Sequence, residues 1–199
     1  HGFARDSIWK ISLLEDELGV RLNLSDSQAT LNVYPFLFDL EIEVRIKESI
    51  LDININIHNR SNILMPFSFG LHPYFNISDL NQIDLQGLSS KCINQLNMQE
   101  SKVRDQIKKL DQGVDFLSEC NGTVKIIDFS SGDCIQLDQQ EPMDLTVVWT
   151  NPPRSMICVE PWTSPRGSLI SGERRLELES DSSLSLQTSI TYGKLTEYH

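Results

Sequence analysis

The chain has 199 residues, 39% of them hydrophobic, and carries 17 Lys+Arg against 28 Asp+Glu for a formal net charge of −11. A surface that negative repels phosphate backbones, and its densest basic segment, ESKVRDQIKKLDQG, is interrupted by acids, so no nucleic-acid partner is expected. Apolar runs fall far short of the roughly 20 residues a bilayer span needs, and no charged start precedes an apolar stretch, so the sequence reads as soluble and cytoplasmic with no membrane partner.

The length suits one globular domain over residues 1–199. The opening HGFARDSIWKI begins at His1 rather than Met and runs straight into a strand-like stretch, which suggests a fragment or a processed chain whose beginning lies upstream, with part of the fold missing. Further along, FDLEIEVRIK places Leu40, Ile42, Val44 and Ile46 on one face, and ILDININIHN does the same with Leu51, Ile53, Ile55 and Ile57. A turn at Glu48 and Ser49 makes the two a hairpin. His58 falls on the polar side of the second strand, beside Asn54 and Asn56, and reads as solvent-facing.

Period-two stretches recur in VKIIDFSSGDCIQLD, where SSGD supplies the turn, in DLTVVWT, in RRLELES and in SLSLQTSITYG. Helical character is confined to residues near 98 to 110, with a thin stripe of Met98, Val103, Ile107 and Leu110, read as one short helix or an extended loop. Many strands, turn signals throughout and no βαβ alternation predict an all-β antiparallel sandwich. Cys92, Cys120, Cys134 and Cys158 are widely spaced, form no CxxC pair and have no histidine at a metal-ligand spacing. They read as reduced thiols, with one or two disulfides left open. GxSxG, P-loop, HExxH and GxGxxG motifs are absent, and the Asn-X-Ser/Thr matches read as chance.

Two segments carry candidate chemistry. In FSFGLHPYF, His72 follows Gly70 and precedes Pro73, which biases the histidine backbone toward an extended conformation and fixes the chain beyond it. Its imidazole can exchange a proton near neutral pH or simply pack on Tyr74 or Phe75. In ICVEPWTSP, Glu160 ends an apolar strand, where a carboxylate costs several kcal/mol unless paired or neutralised. A structural salt bridge would answer that cost. Trp162 beside it suits a sugar instead, whose ring is apolar on its faces and hydroxylated at its edge. His199, the last residue, reads as frayed.

Taken in order, HGFARDSIW at 1–9, NRSNILMPFSFGLHPYF at 59–75 and VVWTNPPRSMICVEPWTSPRGSL at 147–169 resemble the aldose 1-epimerase (galactose mutarotase) family, in particular its mutarotase-related bacterial branch. The resemblance implies a large antiparallel β-sandwich, here lacking N-terminal strands, with a sugar site on a concave sheet. It implies His72 as general acid and Glu160 as general base for interconverting the anomers of an aldohexose, a monosaccharide substrate and no cofactor or metal. His1 resembles the family's second histidine, which hydrogen-bonds the sugar, and Trp162 would floor the pocket. Arg5 would orient hydroxyls or meet an anionic substituent. Asp115 in GVDFLSE resembles the sugar-binding aspartate, though the aromatic pattern around it is only partly present. Two further readings stand beside this one: a hexose 6-phosphate mutarotase using Arg5, Arg154 and Arg166, and a non-catalytic sugar-binding or sensing protein.

Overall fold

Alternating apolar residues and short turns give fifteen strands in a computed structural model that describes residues 2–15 and 18–195. Thirteen of them form one continuous antiparallel sheet, which the long strand β10 (Asp115–Asp128) divides into two wings. The first wing runs β1 (Lys10–Leu13), β2 (Gly19–Ser25), β3 (Phe38–Lys47), β4 (Ile50–Asn59), β15 (Ser183–Lys194), β11 (Asp133–Gln139), the far half of β10, and β7 (Ile83–Leu88). The near half of β10 pairs on one side with β8 (Lys91–Asn94), which carries β9 (Gln99–Lys102). On its other side lie β12 (Leu145–Thr150), β13 (Met156–Trp162) and β6 (Tyr74–Asn76).

The bend in β10 has a local cause. Its register with β7 shifts between Cys120 and Lys125, and at that point Gly87 holds φ +89° with Thr123 so close that a Cβ would lie 1.8 Å from its carbonyl oxygen. Only glycine fits such a crossing. The bend lets both wings feed one core: Leu85, Val124, Ile126 and Leu137 from the first meet Phe116, Val148, Ile157 and Val159 from the second. This is the expected antiparallel sandwich class.

The β3/β4 hairpin forms as its alternation dictates, with Leu40 opposite Ile57, Ile42 opposite Ile55 and Val44 opposite Ile53. Burial is complete at Ile55 and fades toward the turn, where Ile46 is exposed. A second core gathers Leu24, Phe38, Leu40, Ile55, Ile57 and Leu186 under a small sheet of β5 (Met65–Phe67) and β14 (Leu176–Leu178). Each fully buried aliphatic or aromatic side chain there is worth about 1.5–3 kcal/mol. All four cysteines are free thiols. No helix among the described residues is long and apolar enough to cross a membrane.

One expectation needs correction. Residues 99–102 are strand β9, and helix begins only at Val103–Ile107, followed by a single 3-10 turn over Leu110–Gln112. Val103 and Leu110 do point into the core, but Met98 is exposed with φ +58°. The polar QESK segment owes its strand to pairing with β8, supported by the Lys91–Glu100 ion pair at 2.9 Å.

Candidate active site

β13 supplies the central wall. Its Ile157 and Val159 face the shared core, so Cys158 and Glu160 project from the opposite face, and both of these are also buried. The cover comes from the segment leading into β6. Tyr74 pairs with Cys158, and the same register carried two residues back sets His72 opposite Glu160. Two residues further back, Gly70 forms a bridge with Trp162, while Leu71 N–H donates to the Pro161 carbonyl at 3.0 Å.

At that level His72 Nδ1 lies 3.3 Å from Glu160 Oε1, with the imidazole about a quarter exposed and the carboxylate sealed. The imidazole stacks on Tyr74, ring centroids 4.9 Å apart and planes 8° from parallel, and meets the edge of Trp149 at 6.1 Å. The other carboxylate oxygen, Oε2, accepts a hydrogen bond from Trp162 Nε1 at 3.1 Å. Trp162 in turn lies against Gly70, where a Cβ would come within 2.7 Å of the indole. The carboxylate is thus fixed from both sides.

Asp115, at the start of β10, accepts from Gln95 Nε2 at 2.9 Å on Oδ1 and from Arg166 Nη2 at 2.8 Å on Oδ2. Arg5 sits in a 3-10 turn (Ala4–Asp6) anchored by Phe3, which packs on Tyr34 and Phe38, and by Trp9 Nε1 donating to the Ala4 carbonyl at 2.8 Å. Its side chain is 60% exposed and pairs loosely with Asp6 at 3.6 Å.

The electrostatics follow from this placement. Burial raises the Glu160 carboxyl to about 7; the Trp162 hydrogen bond opposes the rise, Asp115 adds to it and Arg166 opposes it. His72 is lowered by burial, against a backbone hydrogen bond, with the Arg5 charge lowering it further and Asp115 raising it. Burial, with Glu160 beside it, pushes the Cys158 thiol up to about 12, so it is neutral. Glu160 is therefore a stronger base than an ordinary carboxylate and His72 a stronger acid than an ordinary imidazolium.

The aldose 1-epimerase family model matches residues 1–191. The chain belongs to the aldose 1-epimerase family. The Slr1438 protein of Synechocystis is 28% identical with a TM-score of 0.91, over 97% of this chain and 68% of that one. The galactose mutarotase related enzyme of Lactobacillus acidophilus shares the fold, with a TM-score of 0.77 at 18% identity over 98% of this chain and 74% of its own. Proteins from Haemophilus influenzae and Escherichia coli, each named "Putative glucose-6-phosphate 1-epimerase", are 54% identical over 33 residues and 31% identical over 100. The matched stretches span 12% and 32% of those two curated relatives.

Of the residues expected at an aldose 1-epimerase site, His72, Glu160 and Trp162 meet directly, and Asp115 and Arg5 lie near enough for their charges to act on the pair. His1 lies outside the described residues, as does His199. His58 is remote from this group; its Nδ1 lies 2.9 Å from Ser183 Oγ and its Nε2 3.5 Å from Asp181. Expected as the floor of a sugar pocket, Trp162 also holds the Glu160 carboxylate through its indole N–H. Sequence reasoning missed Trp149 and Gln95, which reach the site only through strand pairing across dozens of residues and leave no local signal. Arg154 is exposed, and only Arg166 of that pair has a partner in the cluster.

Proposed function

We propose that this chain carries the acid/base pair of an aldose 1-epimerase that interconverts the α and β anomers of an aldohexose. The observation that carries the reading is the 3.3 Å contact between His72 Nδ1 and Glu160 Oε1 on one half-open wall. In a cyclic hemiacetal the C1 hydroxyl and the ring oxygen are both bonded to C1, so the acid and the base must converge within one carbon. Glu160 takes the proton of the C1 hydroxyl while His72 protonates the ring oxygen and the C1–O5 bond breaks. Rotation about C1–C2 turns the aldehyde over. Closure on the other face returns the proton from Glu160 to the former carbonyl oxygen as His72 recovers its own from the C5 hydroxyl. Protons balance over the cycle, so the pair needs no cofactor.

Asp115, with its two oxygens held by Gln95 and Arg166, and Arg5 would hold sugar hydroxyls, while Tyr74, Trp149 and Trp162 offer apolar ring surface. The two wings share β10 and one core, which supports treating the chain as one unit of such a sandwich.

A second reading, a hexose 6-phosphate mutarotase, is favoured by the names of the curated relatives and by exposed Arg5 beside His72. Polarimetry of freshly dissolved α-glucose and α-galactose, with glucose 6-phosphate followed by a coupled assay, separates the two. His72→Asn and Glu160→Gln should each lower turnover by a factor on the order of 10² or more with the fold intact. Full activity in both variants would end the acid/base assignment. Sugar binding without acceleration in the parent chain would favour a sensing role.

A further inference from the structure

The acid/base pair leaves one nucleophilic group of the same wall unused. Cys158 stands two residues before Glu160 on the same strand face, and its sulfur, the imidazole and the carboxylate each offer one donor atom, all within 4.8 Å of one another. Among the described residues this is the only such group of three His, Cys, Asp or Glu side chains. We infer that His72, Cys158 and Glu160 form a binding site for a borderline-soft divalent cation of the zinc type, and that occupancy turns the sugar chemistry off.

Three features support the site. First, tetrahedral zinc with Zn–N and Zn–O bonds near 2.0–2.1 Å needs a nitrogen-to-oxygen edge of about 3.3 Å. The His72 Nδ1 to Glu160 Oε1 separation is 3.3 Å, so two of the three donors already stand one such edge apart. The sulfur has to close to an edge of about 3.5 Å, a movement on the order of 1 Å from the outer limit of the cluster.

Second, both positioned donors are held from behind. The Tyr74 stack fixes the imidazole plane, and the Trp162 N–H on Oε2 leaves Oε1 to face the histidine. Such outer contacts normally orient metal ligands. Third, the charges close: a thiolate, a carboxylate and a neutral imidazole neutralise a dication, so the buried wall carries no net charge once the thiol proton and, below about pH 7, the Glu160 carboxyl proton have left to solvent. Thiolate and imidazole donors select zinc, cadmium or cobalt(II) over magnesium and calcium, which want oxygen ligands. Of the three side chains only the imidazole, 29% exposed, reaches solvent, so a cation would enter past it.

The consequence for catalysis rests on the epimerase reading: a metal held this way occupies the lone pairs that His72 and Glu160 would use for protons. Cobalt(II) titration of this chain should produce a near-ultraviolet thiolate-to-metal charge-transfer band at one metal per chain. Zinc should displace cobalt and stop mutarotation, a chelator should restore it, and magnesium in excess should do neither. Cys158→Ala and the better volume match Cys158→Ser should keep metal-free activity, lose the charge-transfer band and weaken zinc inhibition by on the order of 10²-fold, at least the effect of losing an outer-shell partner. Cobalt binding without the thiolate band, unchanged zinc inhibition in both variants, or stoichiometric zinc with mutarotation intact would each overturn the inference. The cobalt spectrum reads binding whether or not the chain turns over a sugar, so failure of the metal site and failure of the epimerase reading are told apart.

Discussion

Replacing Glu160 by Gln should stabilise the fold at alkaline pH while lowering the proposed activity by a factor on the order of 10² or more. The carboxyl is 1% exposed and its pKa stands at about 7 against an ordinary 4.5, raised first by burial. Between those values the folded chain retains a proton that the unfolded chain has released, so stability falls as pH rises and levels off above about 7. A shift of about 2.5 units corresponds to about 3 kcal/mol. Glutamine matches the protonated carboxyl in shape, can accept from Trp162 Nε1 on its oxygen and can donate to His72. It carries no such pH dependence. The variant and parent should therefore melt together near pH 4 and separate by about 3 kcal/mol above pH 7.5, a gap of roughly 6–12 °C for a chain of this size. Thermal or urea unfolding of both proteins at the two pH values, with a chelator present, reads the difference directly. His72 is common to both and cancels to first order. A variant no more stable than the parent at high pH, or a gap of equal size at both pH values, would refute the assignment of a raised carboxyl.

The pair reacts with one proton, carried by His72 in the productive form, so kcat/KM should be bell-shaped, falling above about pH 7 as the pair gives that proton up and falling again on the acid side once the pair holds two. A rate that stays flat through pH 5 to 9 would contradict this. Trp162→Phe removes the hydrogen bond that opposes the rise at Glu160, so the alkaline limb should move to higher pH while the rate falls by on the order of 10 to 10²-fold. Gly70→Ala, whose Cβ would meet the indole at 2.7 Å, should act in the same direction, and the double variant should lose less than the product of the two because both work through one ring. Asn59 is fully buried, its Nδ2 donating to the carbonyls of Ile63, Leu178 and Glu179 at 2.8, 2.9 and 3.1 Å, and its Oδ1 accepting from Ser61 N–H. Asn59→Ala should therefore cost about 3 kcal/mol or more in chemical denaturation, from carbonyls left dry, without shifting the pH profile of activity.

How much of this was legible depended on whether the signal was local. β3, β4, β11 and β15 follow from period-two patterns because each buries one face, and the SSGD turn lies where expected, with Gly132 at φ +70°. β9 was not legible: QESK has no apolar period, and its strand conformation comes from β8. Glu160 announced itself because a carboxylate ending an apolar strand demands a partner. That Trp162 would be one of its partners was readable only as proximity in sequence, since i and i+2 share a strand face. The Asp115–Arg166 pair joins residues 51 apart and depends on β10, β12 and β13 lying side by side, which nothing in either segment encodes.

The prolines link the readable part of the site to the unreadable part. In the register that sets His72 opposite Glu160, Pro73 falls opposite Val159 and Leu71 opposite Pro161. A proline removes one backbone donor, and two of them flank the level of the pair. The ladder accordingly lapses between Tyr74 and Gly70, resuming through the Leu71 to Pro161 bond that needs only a proline carbonyl. At that gap the contact between strands passes from backbone to side chain, and the side chains standing there are His72 and Glu160. The carboxylate is buried enough to cost the fold stability, yet its histidine partner remains open to a ligand. That combination disfavours a purely structural salt bridge: apolar residues of similar volume would fill the wall at least as stably, whereas a raised carboxyl beside a lowered imidazole suits the proposed proton transfer.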